Sequence, residues 1–222
     1  MFKSRTVKGL ICDLDGVLRH WPADDICELE ARHRLPQGAL FAAAFAPRLL
    51  RKAVTGAISD RQWRQFVAIR LTAEYGVAGD EAVREWASLR ASVDERMLDL
   101  VCEVRAEHRV ALLTNGTTRL HDDLAAAGLD GFFDAIVNSS EIGFAKPDVE
   151  AFRCAAAALG LICAECAFVD DTAAHVEAAE RIGLAAILHR DAEHTRAALL
   201  EVGLVSDVVR AGAPARGAER SP

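Results

Sequence analysis

Five short apolar runs recur along this chain, and most of them end abruptly at polar residues. The runs cover positions 7–14, 110–113, 135–137, 167–169 and 185–188. Apolar runs of this length, bounded by turn residues, are typical of strands that are buried on both faces of a sheet. Helical patterns at 94–107, 118–127, 149–159 and 174–182 separate the later runs. Alternating strands and helices predict an α/β fold with a doubly wound parallel sheet.

The segment from 17 to 92 interrupts this alternation, because it contains no convincing strand pattern. Helical spacing occurs at 39–54, 60–75 and 80–90, with proline and glycine between these stretches. We therefore predict a core domain made of residues 1–16 and 93–210, with a helical domain, residues 17–92, inserted after the first strand. We expect Phe41, Phe45 and Phe66 to form the core of the insertion. The small, polar residues 211–222 predict a disordered tail.

Composition narrows the functional classes. The chain has 222 residues, 51 % of them hydrophobic, and a net charge of −7, so its overall field does not attract nucleic acid or anionic lipid. Its six scattered cysteines suit a reducing compartment. Aspartates at 13 and 15 interrupt the first apolar run before a signal-peptide core can form. We expect a cytoplasmic protein without a membrane or nucleic-acid partner, either a monomer or a homodimer.

Polar residues collect where the predicted strands end. Ligands of open parallel sheets bind outside the carboxyl ends of the strands. The residues in or near those positions are Asp13, Asp15, Thr114, Asn115, Lys146, Asp170 and Asp171. Clustered carboxylates without histidine or cysteine among them favour Mg²⁺. With a cation and a lysine neutralising this charge, a carboxylate could attack a phosphate ester and form an aspartyl-phosphate.

Four short motifs, in this order, resemble those of the haloacid dehalogenase superfamily. They are Asp13-Leu14-Asp15-Gly16-Val17-Leu18, Thr114-Asn115, Lys146-Pro147-Asp148 and Val169-Asp170-Asp171. The resemblance extends from about residue 7 to residue 205, and the helical insertion is similar to the small C1-type cap of that superfamily. Asp148 is an exception within the motifs, because we expect it to cap the following helix.

The resemblance implies a role for each matching residue. It makes Asp13 the nucleophile and Asp15 the general acid and base, and it assigns phosphate binding to Thr114, Asn115 and the backbone amide of Gly116. Lys146 then pairs with both the nucleophile and the phosphate. As metal ligands it implies Asp13, Asp170 and the main-chain carbonyl of Asp15, with Asp171 holding a water of the metal. His175, where asparagine is common in the superfamily, is not expected to be catalytic.

Within the superfamily, the resemblance favours a Mg²⁺-dependent phosphatase. Members that cleave carbon–halogen bonds generally lack the second aspartate of the first motif, and this chain has Asp15. We expect the substrate to be a small phosphorylated metabolite, with a sugar phosphate as one candidate. A phosphomutase is the alternative that shares every motif. A 2-haloacid dehalogenase and a non-catalytic binding protein with the same fold are further alternatives.

Overall fold

The computed structural model describes residues 6–206 as alternating strands and helices with a helical insertion. In chain order the elements are β1 (Gly9–Cys12), β2 (Arg19–His20), α1 (Ala23–Arg32), α2 (Ala39–Ala44), α3 (Pro47–Val54), α4 (Asp60–Tyr75), α5 (Gly79–Ser88), β3 (Ser92–Val93), α6 (Glu95–Arg105), β4 (Arg109–Thr114), α7 (Leu120–Ala127), β5 (Ala135–Asn138), α8 (Ser139–Ile142), α9 (Val149–Ala158), β6 (Cys166–Asp170), α10 (Ala173–Arg181), β7 (Ala185–Leu188) and α11 (Ala192–Glu201). The predicted tail, 211–222, lies outside the described residues.

The central sheet has five strands in the order β5-β4-β1-β6-β7, and every neighbouring pair is parallel. The predicted α/β fold with a doubly wound parallel sheet is therefore confirmed. The chain runs outward from β1 through β4 to β5 and then returns to the other side of β1 with β6. This reversal places the topological switch point at the carboxyl end of β1, where ligands of such sheets bind.

Apolar residues cover both faces of the sheet. Along β1, Leu10 packs into a hydrophobic cluster on one face, while its neighbour Ile11 packs into a second cluster on the other face. Both side chains are almost fully buried. Because successive side chains of a strand point to opposite faces, a strand covered on both sides must be apolar throughout. This burial explains why the strands are continuous apolar runs in the sequence.

The inserted helices α1 to α5 enclose a third hydrophobic cluster, which includes Leu29, Leu40, Val67 and Leu71. The predicted helix at 39–54 is wrong as a single element, since it is two helices that break at Ala46. Proline disfavours the helical conformation of the residue before it, and Pro47 begins α3.

Two other expectations about the insertion need correction. Strands β2 and β3 pair antiparallel, although we expected no strand between 17 and 92. Two residues are too few for a periodic pattern to show. The core of the insertion does not contain the three phenylalanines that we expected there. Phe41 is 43 % exposed, Phe45 46 % and Phe66 49 %. Alanines, leucines and valines, together with Ile26 and Trp63, fill that core instead.

Candidate active site

Asp13 follows the last residue of β1, at the switch point of the sheet. Its backbone N–H donates to the carbonyl of Val169 in β6, at 2.9 Å, so the neighbouring strand fixes its position. Three residues later the chain reverses at Gly16, whose φ is +83°. A Cβ atom at position 16 would lie 2.0 Å from Oδ2 of Asp171. Only glycine therefore fits this turn without moving Asp171.

Lys146 bonds to two carboxylates at the centre of the site. Its Nζ lies 2.7 Å from Oδ1 of Asp13 and 2.6 Å from Oδ2 of Asp170. The three side chains are at least nine-tenths buried, which strengthens these contacts because little water screens them. The lysine therefore fixes the relative positions of the residues that end β1 and β6.

Ionisation of the two aspartates differs because their surroundings differ. Burial and the nearby charge of Asp170 raise the pKa of Asp13 to about 7, although Lys146 opposes this shift. Burial acts against ionisation of Asp170 as well, but hydrogen bonds and the charges of His175 and Lys146 lower its pKa to about 2. Burial also opposes the charge of Lys146, yet the two carboxylates outweigh it and raise the pKa of this amine.

Oxygen atoms of three carboxylates come together beside Lys146. Ligand atoms of Asp13, Asp170 and Asp171 all lie within 4.8 Å of one another, and this is the only such group of potential metal ligands within residues 6–206. With one ammonium among three carboxylates, two negative charges stay uncompensated when all of them are ionised. An oxygen-only donor set with this charge fits a hard divalent cation such as Mg²⁺.

His175 contacts Asp170, and the sequence analysis did not predict this contact. Its Nδ1 lies 3.1 Å from both carboxylate oxygens of Asp170. Since an ionised carboxylate only accepts hydrogen bonds, Nδ1 carries the proton in this contact. The backbone N–H of Thr172 donates to the same carboxylate at 2.8 Å. His175 and Thr172 thus fix the orientation of Asp170.

The segment after β4 brings Thr114, Asn115 and Gly116 to the same edge of the sheet. Asn115 exchanges two hydrogen bonds with the main chain of Lys146, at 2.9 Å and 2.8 Å, so its side chain positions the lysine segment. Thr114 is buried at the end of β4. A Cβ on Gly116 would lie 2.9 Å from Oδ1 of Asn138, which shows how closely this loop packs.

Asp15 does not belong to the three-carboxylate group and has partners of its own. Arg19 binds its carboxylate with two hydrogen bonds, from Nε at 2.7 Å and from a terminal guanidinium nitrogen at 2.9 Å. The indole N–H of Trp21 donates to the same carboxylate at 2.9 Å. The sequence did not indicate this arrangement, because it depends on the chain reversal at Gly16, where the backbone N–H bonds to the Arg19 carbonyl.

Asp148 occupies the N-cap position of α9, but its side chain makes no capping hydrogen bond. Its Oδ2 instead accepts a hydrogen bond from Arg51 of α3 at 2.8 Å. The predicted capping role of the side chain is therefore wrong. The residue joins the insertion to the loop that carries Lys146.

A parallel α/β sheet with carboxylates and a buried lysine at its switch point has the arrangement of a candidate active site. Residues 7–183 match the family model of the haloacid dehalogenase-like hydrolases. Because this match covers most of the chain, the protein belongs to that family. Within residues 6–206, no helix combines the length and apolar character needed to cross a membrane.

Individual relatives agree with this assignment. The chain is 36 % identical to Phosphatase MT3486 of Mycobacterium tuberculosis over 112 residues, which are 50 % of this chain and 49 % of that protein. It is 27 % identical to Bifunctional epoxide hydrolase 2 of Sus scrofa over 240 residues, 94 % of this chain and 40 % of that protein. The chain thus spans less than half of the length of these relatives.

The fold also matches a solved structure, a HAD family enzyme of Bacteroides thetaiotaomicron in complex with magnesium and inorganic phosphate. The TM-score is 0.67 at 19 % identity, and the match covers 83 % of this chain and 94 % of the other. At this identity the similarity establishes the fold.

Proposed function

We propose that this protein is a Mg²⁺-dependent phosphatase that cleaves a small phosphomonoester through an aspartyl-phosphate intermediate. The observation that supports this proposal best is the contact of Lys146 with both Asp13 and Asp170 beside the carboxylate of Asp171. The similarity to Phosphatase MT3486 supports the same reaction class.

Asp13 and Asp170 are the residues that would bind Mg²⁺ by their side chains, together with the main-chain carbonyl of Asp15, and Asp171 would hold a water of the metal. Such an ion, when bound, supplies positive charge to the phosphate oxygens and to the crowded carboxylates. The relative from Bacteroides thetaiotaomicron, which contains magnesium and inorganic phosphate, is consistent with this choice of ion. Burial raises the pKa of Asp13 to about 7, and the positive charge of a bound ion would favour the ionised carboxylate.

In the first step, a carboxylate oxygen of Asp13 forms a bond to phosphorus while the bond from phosphorus to the ester oxygen breaks. Lys146 contacts Oδ1 of Asp13 and compensates charge on the phosphoryl group, together with the loop of Thr114, Asn115 and Gly116. Asp15 delivers a proton to the oxygen of the departing alcohol. The products of this step are the free alcohol and phosphorylated Asp13.

In the second step, water attacks phosphorus and loses a proton to Asp15. The bond between phosphorus and Asp13 breaks, inorganic phosphate leaves, and both aspartates return to their starting states. Arg19 and Trp21 keep the carboxylate of Asp15 in one orientation. Asp15 must release one of these contacts when it carries the proton. Arg19 and Trp21 act through Asp15 and are therefore positioning residues.

The test is phosphate release from a panel of phosphomonoesters, with and without Mg²⁺, by the wild-type chain and by Asp13→Asn. We expect release that depends on Mg²⁺ and is abolished by the substitution, because an amide does not attack phosphorus. Circular dichroism of the variant checks that its fold is intact. Release by folded Asp13→Asn at the wild-type rate would refute the mechanism.

A further inference from the structure

A cavity of about 210 Å³ lies between the insertion and the core, directly beside Asp15. We propose that this cavity binds the leaving group of the substrate, and that this group is a short apolar chain or ring rather than a sugar. The inference rests on the proposed phosphatase function and specifies its substrate class.

Aromatic side chains dominate the part of the cavity that the insertion provides. Phe41 and Phe45 stack with their ring centroids 5.1 Å apart, and Trp63 meets Trp86 edge to face at 5.3 Å. The two phenylalanines are about half exposed although they are large and apolar. Exposed aromatic groups beside a catalytic centre gain stability when a ligand covers them.

Most of the charged side chains that line the cavity have a partner of opposite charge among the described residues, whereas the exposed Arg90 has none. Arg64 bonds to Asp60 at 2.7 Å and lies 4.8 Å from the ring centroid of Trp86. Arg119 pairs with Asp123 at 3.0 Å, just as Arg19 pairs with Asp15.

The indole N–H of Trp63 is occupied as well, by the carbonyl of Ala44. A sugar in this cavity would therefore lose hydrogen bonds to water and find few free partners in return, which is unfavourable. An apolar group has no such hydrogen bonds to lose.

The position of the cavity matches the place of a leaving group. Asp15, Asn115 and Gly116 belong to its lining. Asp15 is the proposed acid for the ester oxygen, and Asn115 and Gly116 belong to the proposed phosphate-binding loop. A phosphomonoester with its phosphoryl group at Asp13 would thus extend its alcohol part past Asp15 into the cavity.

The first experiment measures kcat/KM of the wild-type chain with Mg²⁺ on ethyl, butyl and hexyl phosphate, and on glucose 6-phosphate. All four leaving groups are alkoxides of similar basicity, so differences report on binding in the cavity. We expect kcat/KM to rise about fourfold for each buried methylene, hence roughly 250-fold over the four methylenes from ethyl to hexyl. We also expect glucose 6-phosphate to be at least about tenfold poorer than hexyl phosphate.

Two matched variants test the assignment of the cavity. Phe45→Ser alters its lining and should lower kcat/KM for hexyl phosphate about tenfold while leaving ethyl phosphate nearly unchanged. Phe66→Ser is the control, because Phe66 is an equally exposed phenylalanine of the insertion that does not line the cavity. It should leave the whole alkyl series unchanged. An equal effect of both variants would overturn the assignment.

Failure of the inference can be told apart from failure of the proposed function. A flat alkyl series, or faster cleavage of glucose 6-phosphate than of hexyl phosphate, would overturn the inference while the phosphatase function stands. Should no ester be cleaved, the phosphatase function fails, and calorimetry with methyl- and hexylphosphonate in the presence of Mg²⁺ decides the rest. Tighter binding of hexylphosphonate supports the cavity assignment, and equal or no binding of the two refutes it.

Discussion

Lys146 illustrates how one residue can serve both stability and chemistry. Its buried ammonium contacts two buried carboxylates, and removing one partner of such a group leaves charge without compensation. We expect Lys146→Met to lower the free energy of unfolding by about 3–5 kcal/mol in EDTA and to abolish phosphatase activity. Urea denaturation measures the first effect. Saturating Mg²⁺ should restore part of this stability, and an unchanged urea midpoint in EDTA would contradict the argument.

Substitutions at Gly16 and Gly38 can distinguish the cost of backbone strain from the effect of a specific contact. Ala at position 16 would bring a Cβ against Asp171 in addition to the cost of a positive φ. Gly38 has the same φ of +83°, yet nothing lies within 4 Å of its would-be Cβ. We expect both Gly16→Ala and Gly38→Ala to lose about 1–2 kcal/mol of stability, but only Gly16→Ala to lose Mg²⁺-dependent activity, by about 100-fold.

Thermal denaturation and the Mg²⁺ dependence of phosphate release measure the two effects separately. Equal activity of the two glycine variants would mean that the position of Asp171 does not matter.

A substitution of Trp21 tests whether its hydrogen bond positions Asp15, the proposed acid. Trp21→Phe keeps an aromatic ring but removes the N–H that bonds to Asp15. A hydrogen bond to a charged group contributes about 1.5–3 kcal/mol, so we expect kcat for an alkyl phosphate to fall by about tenfold or more with little change in KM. 4-Nitrophenyl phosphate needs no protonation of its leaving group, and its kcat should change far less. An equal loss on both substrates would indicate general structural damage instead.

At the residue scale, the sequence predicts the positions of those candidate site residues that stand at strand ends. Asp13 and Asp170 could be located because a strand end is visible in the pattern and parallel strands bring their ends together. The contacts that Arg19, Trp21 and His175 make could not be predicted from the sequence. They depend on the direction in which a side chain leaves a tight turn or the start of a helix, and hydrophobic patterning carries no information about that direction.

At the scale of elements, the start of α4 connects the insertion to the core. Asp60 accepts a hydrogen bond from Thr117 at 2.9 Å, and its backbone N–H donates to Thr118 at 3.0 Å. The preceding Ser59 forms a capping box with Gln62 and makes no contact of this kind with the core.

The two neighbouring residues therefore allow a matched comparison. Ser59→Ala should cost about 1 kcal/mol of stability and leave kcat/KM unchanged. Asp60→Ala should lower kcat/KM by about tenfold, because the loop after β4 and the insertion lose their shared contact. Urea denaturation and steady-state kinetics on one alkyl phosphate distinguish the effects. The idea fails if Asp60→Ala affects stability alone.

The sheet was more predictable than the insertion, for a physical reason. Strands of a parallel sheet are buried on both faces and therefore leave continuous apolar runs. The break before Pro47 and the two-residue strands β2 and β3 depend on single residues or on pairing across the insertion. Helix α1, which carries acidic residues at four of its ten positions, was not predicted because its apolar pattern is sparse.

At the scale of the whole molecule, the proposed mechanism assigns chemistry and substrate selection to different parts of the chain. The core supplies Asp13, Lys146 and Asp170, whereas the insertion supplies the aromatic lining of the cavity. The motifs indicate the reaction class because that chemistry requires fixed residue types. The substrate class could not be predicted in the same way, since it depends on which aromatic residues the folded insertion leaves exposed.

Mg²⁺ should stabilise the whole chain, because an ion that binds the folded state alone shifts the unfolding equilibrium. At a concentration 100 times the dissociation constant, this effect amounts to about 2.7 kcal/mol. For a domain of this size, we expect Tm to rise by roughly 5–10 °C, and EDTA to reverse the rise. Differential scanning calorimetry in MgCl₂ measures it directly.

Two variants show whether the ion acts at the proposed site. Asp170→Asn replaces a carboxylate of the three-carboxylate group and should abolish the rise in Tm, since the remaining oxygens offer too little charge to hold a divalent cation. Glu177→Gln makes the same kind of change at an exposed position of α10 and should keep the full rise. If Mg²⁺ raised the Tm of Asp170→Asn as much as that of the wild type, the ion would bind elsewhere, and the metal-dependent part of the proposed mechanism would have to be abandoned.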